Sequence, residues 1–596
     1  MTALVKAAEE LIGGSGEVLG ARRHDMADPT WHLDPVSGLR FGGERTAWRV
    51  DYRSPGRNVK QVWELSRLQH LTVLACAWQC TKDDRYAAMV DRHLRSWWAA
   101  NPVAFGVNWT SGIEVGIRLM SFVWIRRLLD GWEGAAALFE EDETFAGQLY
   151  WHQRYLAAFQ SRGSSANNHA VAEAAGLLTA SCAFPWFRES RGWQVQSLSR
   201  LGRELERNTF GDGLDREQAF DYHGLVCELG LVSLAEADAA GLRVPDHLWA
   251  LLCRMLDVVA AVLDRNGEGP RTGDGDDGRG LVVADPDANR WLSLLAVGEA
   301  LFGRLAWWPA ARRDAQRALL GALVGRVIPV EGRSAERPST FPDAGLTILR
   351  SEPGAAEELW CCCDGGPQGF GSLAAHGHAD ALSIELRHDG VQLLCDPGTY
   401  AYHDDPAWRA YFRSTLAHNT IELDGEDQAV AGGPFLWTSK ANAVTCAVGH
   451  APTGAQSWSG EHRGYARLER PVTHRRMVTL DPGRGVLAVS DELCGEGPHT
   501  VRLAFHLGPA VDASLVGNRA TLRWTSPGGR SRRADLVLPD ALGWEMWRGS
   551  VDPRRGWYSP RFGVKVATTT LLGTGATPAS PLRTELRTEL VVDPLR

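Results

Sequence analysis

The sequence predicts a multidomain chain in two parts, an all-helical half followed by a half of packed antiparallel sheets. Three observations predict it. The 596 residues exceed the roughly 250 to 300 at which a single hydrophobic core stops growing. Apolar residues recur at helical spacing from about residue 58 to 328. Beyond residue 331 the texture changes to short β-branched runs punctuated by Gly, Asp and Pro. With 44% hydrophobic and 23% charged residues, the composition is globular and excludes a disordered or collagen-like chain.

In the first half, Leu65, Leu68, Leu71, Leu74 and Trp78 form one apolar stripe, and Ile113, Ile117, Met120, Trp124 and Leu128 form another. The runs His169 to Phe184, Glu217 to Ala237 and His247 to Leu263 repeat the pattern, separated by Gly- and Pro-containing turns without strands. The polar, breaker-rich segment EGRSAERPSTFPDAG reads as a linker and divides the chain into residues 1–335 and 336–596. Strands are then predicted at Leu346 to Arg350, Leu382 to Leu386, Val391 to Cys395, Asn419 to Leu423, Val472 to Leu480, Val486 to Ser490, Val501 to His506 and Thr521 to Trp524. Many short strands without helices between them imply antiparallel sheets packed face to face.

A formal charge of −9 and a pI near 6.1 argue against a nucleic-acid partner. The opening MTALVKAAEELIGGSG lacks the basic and apolar regions of a secretory signal, and no 18-residue apolar run follows that would span a bilayer. A cytoplasmic chain with no membrane partner is expected, or a secreted or periplasmic one if the sequence is a mature form. Eleven cysteines without CxxC spacing read as buried reduced thiols.

Three polar clusters interrupt these patterns. In Ser164 to Ala170, Asn167 or Asn168 caps a helix, or the two amides and His169 present donors to an anion at the positive end of the helix dipole. Glu173, four residues after His169, either orients that imidazole or forms a surface pair. In Asp215 to His223, Gln218 and Tyr222 share one helical face. Tyr222 is either a packed structural phenol or a group that gives or takes a proton.

The most informative stretch is Ala375-His376-Gly377-His378-Ala379-Asp380, followed by Asp396-Pro397-Gly398-Thr399-Tyr400 and His418-Asn419-Thr420. Residues two apart in an extended chain point the same way, so His376 and His378 can address one site. Two imidazoles and a carboxylate at neighbouring strand ends suit Zn²⁺. A chance His-x-His pair and an ordinary Asp-Pro-Gly turn form the plainer reading. The loop Gly273 to Arg279 (GDGDDGR) breaks the spacing of an EF-hand and lacks its terminal Glu, so it reads as a solvated inter-helix loop near a cleft.

Taken together, these stretches make the chain resemble the heparinase II/III-like family of polysaccharide lyases over roughly residues 55 to 510. The resemblance is carried by Asn167-Asn168-His169 with Glu173 to Leu177, Glu217-Gln218 to Tyr222-His223, the His376 to Asp380 block, Asp396 to Tyr400, and His418-Asn419-Thr420. It implies an N-terminal incomplete (α/α) toroid, a C-terminal antiparallel β-sandwich, and a substrate cleft between them. It implies catalytic positions for Asn168, His169, Tyr222 and His376, and a structural Zn²⁺ held by His378, Asp396 and His418, with His474 competing as third ligand. The segment Asn108 to Glu114 with Arg118 is similar to a family cleft segment. There Trp109 would stack on a sugar and Arg118 would meet a carboxylate or sulfate, with Asn108 and Gln218 beside them. The alternative is a Glu114–Arg118 helix pair next to a core tryptophan.

The activity implied is β-elimination on a uronate-containing poly- or oligosaccharide. Asn168 and His169 would meet the uronate carboxylate, His376 would take the C5 proton, and Tyr222 would protonate the leaving C4 oxygen. Two rivals are a glycoside hydrolase on a helical toroid, which needs paired carboxylates, and a silent polysaccharide-binding protein using some of the 24 tryptophans.

Overall fold

The computed structural model describes residues 2–283, 288–310, 314–577 and 582–592. Its first half is helical. After Thr2–Ile12, helices run over Val59–Ser66, Gln69–Thr81, Asp84–Ala100, Gly112–Leu128, Ala135–Phe139, Glu143–Ala158, Asn168–Ala183, Ser190–Asn208, Phe220–Ala239, Asp246–Val262, Arg290–Phe302 and Ala315–Val324. Short polar side chains start many of them: Asp83, Asp142, Asn167, Asn289 and Asp314 each accept a backbone N–H of the first turn. Gln69–Thr81, Gly112–Leu128, Asn168–Ala183 and Phe220–Ala239 pack side by side, each backed by an outer helix, as an incomplete (α/α) toroid. Gly112–Leu128 and Asn168–Ala183 cross where Gly116 meets Gly176. A Cβ on Gly176 would lie 2.4 Å from the Gly116 Cα, so only glycine permits this approach. No helix among the described residues is long and apolar enough to cross a membrane.

Two helical predictions change in detail. The stripe from Leu65 to Trp78 is two helices, because Leu68 takes a left-handed conformation (φ 62°) between them. The helix predicted from Glu217 begins at Phe220. Gln218, at φ 56°, stands outside it and shares no helical face with Tyr222.

The second half holds three main sheets, all antiparallel. Thr340–Phe341, Leu346–Arg350, Leu359–Asp364, Ile384–His388 and Val391–Leu394 form one sheet in sequential order. Gly543–Arg548, Thr569–Ala576, Thr500–His506 and Ile421–Leu423 form a second, joined to the first where Cys395 N–H donates to His506 O. Across the core lies an eight-stranded sheet containing Val472–Asp481 and Val486–Gly495. Burial alternates along those two strands, as expected where one face meets a core and the other meets solvent. Leu349, Ile384 and Leu503 from the first layer and Val478, Leu487 and Leu590 from the second share one core, completing the β-sandwich.

The strand Leu359–Asp364 explains the cysteine run. Its side chains alternate, so Trp360 and Cys362 enter the helical core while Leu359, Cys361 and Cys363 enter the sandwich core. The segment after residue 331 is docked rather than free. Arg337 and Arg350 donate to the carbonyls of Ala260, Ala261 and Leu263, which end the helix Asp246–Val262, and Trp360 Nε1 donates to Val262 O. Cations and donors at the negative end of a helix satisfy its orphan carbonyls, and here they seat the toroid on the sheet.

Candidate active site

The two halves meet around the loop that precedes helix Arg290–Phe302. Its segment Gly273 to Arg279 is packed against the sandwich with Gly273, Asp274, Asp276 and Gly278 buried and Asp277 exposed, which corrects the expectation of a solvated loop. Gly273 (φ 63°) is wedged between two carbonyls: a Cβ there would lie 2.6 Å from Gln218 O and 2.7 Å from His376 O. Asp274 N–H donates to His376 O. The fully buried Asp274 carboxylate accepts from His376 Nδ1 (3.0 Å) through one oxygen and His378 Nε2 (3.0 Å) through the other, while Arg409 spans both. Burial pushes this carboxyl up, but Arg409 and the two imidazoles outweigh it and hold it well below the usual carboxylate range.

His376 lies flat against Tyr222, their ring centroids 4.0 Å apart and their planes 24° apart. The Tyr222 hydroxyl donates to Asp276 Oδ2 (2.9 Å) and sits 2.9 Å from the Tyr402 hydroxyl. Burial, then the carboxylate of Asp276, push the phenol well above its ordinary value, so it is protonated. With Nδ1 engaged by Asp274, Nε2 is the ring nitrogen left to other partners. That nitrogen is 3.7 Å from Glu217 Oε2.

Glu217 ties in the helical residues. Its carboxylate accepts from Asn167 Nδ2 (3.1 Å), Asn168 N–H (2.9 Å) and Asn168 Nδ2 (3.0 Å to each oxygen). Asn167 caps the helix that Asn168 begins, accepting His169 N–H at 3.2 Å. Asn168 Oδ1 is buried without a partner. His169 is half-buried, and burial lowers its pKa. Glu173 does not hydrogen-bond that imidazole. It accepts from Ser161 N–H and Oγ and from Arg200. Asn168, Tyr222 and His376 thus occupy one connected cluster fed by both halves of the chain, with the half-buried His169 beside it. The hairpin Val430–Ser439 covers it. Phe435 packs on His376 and Tyr402, and Trp437 Nε1 donates to Gly377 O. Behind the loop a cavity of about 210 Å³ is lined by Asp221, Arg271, Asp274, Asp277, Thr399 and Phe562.

Of the residues predicted to hold zinc, His378 and His418 face each other, and Asp396 lies against His418 alone. His378 Nε2–H is spent on Asp274, and His418 Nδ1–H on Ser414 O (2.7 Å), so His378 Nδ1 and His418 Nε2 face each other as lone pairs only 3.2 Å apart. Asp396 Oδ2 lies 3.4 Å from the same His418 nitrogen. Burial, then Glu385, push the Asp396 carboxyl well up, which marks a buried acid short of positive charge. Two imidazole nitrogens and a carboxyl gathered in this way are the donor types that zinc takes. Tetrahedral zinc with bonds of about 2.0–2.1 Å would hold two nitrogens about 3.3 Å apart. Asp380, half-buried, also brings a carboxylate oxygen within 4.8 Å of both imidazoles. His474 does not join this group, since it bonds Asp491 (2.7 Å) and His462 (3.2 Å) within the sandwich.

The predicted cleft segment falls elsewhere. Trp109 is 1% exposed and Asn108 and Arg118 are fully buried. Trp109 packs on His152 with centroids 4.3 Å apart. Arg118 donates to Ser66 O and Asn108 O, contacts His152 Nε2, and stacks over Trp97. Asn108 Nδ2 donates to Asn101 Oδ1. None of the three faces a cleft. The alternative Glu114–Arg118 pair is absent too, because Glu114 binds Arg67 through both oxygens. Gln218 is spent on Ala344 O, in the seam between the halves.

Sequence reasoning missed Asp274, Asp276, Lys60, Tyr402 and Arg409, and left Glu217 without a role. Gly273 and Gly275 carried the signal: glycines bracketing acids also mark places where backbone approaches backbone.

Comparison with known proteins places this arrangement. Residues 28–298 match the heparinase II/III N-terminus, and residues 333–587 match the heparinase II/III-like C-terminal domain. A heparin-sulfate lyase from Bacteroides stercoris is 20% identical over 486 residues, covering 78% of this chain and 66% of that protein. One from Pedobacter heparinus is 20% identical over 378 residues, covering 62% and 52%. The crystal structure of heparinase III superposes over 100% of this chain and 85% of its own, with 16% identity and a TM-score of 0.69. A heparan sulfate lyase from Pedobacter heparinus covers 100% and 83%, with 16% identity and a TM-score of 0.60.

Proposed function

The chain belongs to the heparinase II/III-like family, and from that premise we propose that it is a polysaccharide lyase acting on a uronate-containing glycan of the glycosaminoglycan class. The observation that carries the reading is the contact between His376, from the sandwich, and Tyr222, from the toroid, beside Asn168 and Glu217. Each group has a task in β-elimination.

The hydrogen on C5 is acidic only when the adjoining carboxylate is neutralised. Asn168 spends its N–H groups on Glu217, so the buried Oδ1 is the atom it has left to offer a substrate carboxyl. That oxygen accepts and does not donate, so toward the uronate group it pairs with a carboxyl that binds in its protonated form. His169 adds an imidazole donor. His376 Nε2 takes the C5 proton. The C5–H electrons form the C4–C5 double bond, the C4–O bond breaks toward oxygen, and Tyr222 supplies the proton to the leaving oxygen. The carboxylates nearby are each committed, Asp274 to Arg409, Asp276 to Lys60 and Glu217 to two asparagines. A hydrolase would need two free ones.

His378, Asp396 and His418 would hold Zn²⁺, whose charge would compensate buried Asp396. Fixing His378 would stiffen the turn that carries His376, two residues away.

The test is a panel of uronate polymers and oligomers followed by the ultraviolet absorbance of the new conjugated double bond. Absorbance on at least one member supports the lyase. Release of neutral reducing sugars without absorbance would favour the hydrolase. Binding without any turnover would favour the silent binder.

A further inference from the structure

The buried loop does more than anchor one histidine. Resting on the lyase reading, we infer that Asp276, with Lys60 behind it, is a positioning residue that holds Tyr222 ready to protonate the leaving oxygen. Asp276 is 6% exposed. Its Oδ2 accepts both from the Tyr222 hydroxyl (2.9 Å) and from Lys60 Nζ (2.5 Å), and its Oδ1 accepts Gly278 N–H (3.0 Å). A carboxylate in contact with an ammonium is an acceptor only. The phenol hydrogen therefore stays on Tyr222, and the Tyr402 hydroxyl, 2.9 Å away, is left to donate to the Tyr222 oxygen.

The loop thus sorts the two stacked rings. Asp274 takes a hydrogen bond from His376 and bares Nε2 as a base, while Asp276, two residues on, takes one from Tyr222 and keeps it an acid. Lys60 reaches in from helix Val59–Ser66 and compensates the Asp276 charge. When the proton leaves for the C4 oxygen, the phenolate that remains does not face an uncompensated carboxylate. The Tyr402 hydroxyl remains to hydrogen-bond it.

The experiment compares Asp276→Asn and Lys60→Met with the unaltered full chain by three readouts. The first is kcat on a uronate oligosaccharide whose leaving group is a sugar hydroxyl. The second is kcat on a uronide carrying 4-nitrophenolate at C4, which departs without a proton. The third is exchange of the C5 hydrogen with solvent deuterium, followed by mass spectrometry. The expected result is a loss of about 100-fold with the sugar leaving group, less than about 3-fold with nitrophenolate, and retained C5 exchange, with Tyr222→Phe following the same profile. Parallel loss of all three readouts in both variants would overturn the inference, because a structural defect does not discriminate between leaving groups. If Asp276→Asn does not fold, Lys60→Met decides alone. An unaltered chain that neither exchanges C5 nor yields unsaturated product on any uronate would take down the lyase reading, and this inference with it. Turnover by the unaltered chain with uniform losses would take down this inference alone.

Discussion

His378 and His418 meet nitrogen to nitrogen at 3.2 Å, each with its other ring nitrogen already donating to an oxygen, and Asp396 stands 3.4 Å from the His418 nitrogen. Burial, then His378, hold the His418 imidazole well below its ordinary pKa, so it is neutral and its lone pair is unprotected by a proton. Two imidazole nitrogens and a carboxyl so placed form a donor set suited to zinc.

Metal analysis of the purified protein should therefore find about one zinc per chain. Chelation should lower the Tm, and added Zn²⁺ should restore it. His418→Ala should abolish both the zinc content and the chelator sensitivity, while helical circular dichroism stays unchanged. A metal-free preparation with no response to chelator or to added zinc would contradict the assignment.

Tyr222→Phe should reduce kcat by about 100-fold or more, since positioned proton transfer contributes about 10²–10⁴. Affinity for the sugar should change little, because the ring and its stacking on His376 remain. Steady-state kinetics together with calorimetric titration would separate the two.

Arg118→Ala should behave as a core mutation. It strands Ser66 O, Asn108 O and His152 Nε2 and opens space beside Trp97. Unsatisfied buried groups cost about 1–3 kcal/mol each, so thermal stability should fall clearly. KM should stay within about two-fold. A large KM increase at unchanged Tm would restore the cleft role expected from the sequence.

Asp491 accepts from Arg476 through both oxygens and from His474, all buried in the sandwich. Burial alone would raise its carboxyl, but Arg476 and His474 lower it to about 2. A depressed acid contributes stability above its unfolded pKa, near 4, and loses it as pH falls through the folded value. The contribution is about 2 kcal/mol at neutral pH. Urea unfolding should show a decline between about pH 4 and pH 2 that Asp491→Asn flattens, at the cost of lower stability at pH 7.

Much of this was legible in sequence. Helical and strand periodicities located the two halves, because one-sided burial leaves a repeating apolar trace. His376 and His378 addressed one site as their two-residue spacing required, although it is a loop beside the strand end that presents them. Arg118 and Trp109 misled because a polar or aromatic residue on a helix carries no mark of whether it turns toward a ring's bore or its packed wall. Asp274 and Asp276 stayed hidden for a different reason. Their partners lie about a hundred residues ahead in the sandwich or far back in the toroid, and no local pattern announces a contact of that range. Leu68 and Gln218 escaped because their left-handed backbones oppose their own conformational preference and are imposed by tertiary contacts.

The strand Leu359–Asp364 has no idle side, since Trp360 and Cys362 serve one core and Cys361 and Cys363 the other. Deleting one residue there would exchange the two sets and spoil both interiors at once. The toroid and sandwich are therefore not beads on a string. They should melt in a single calorimetric transition, so damage in either half is transmitted to the other.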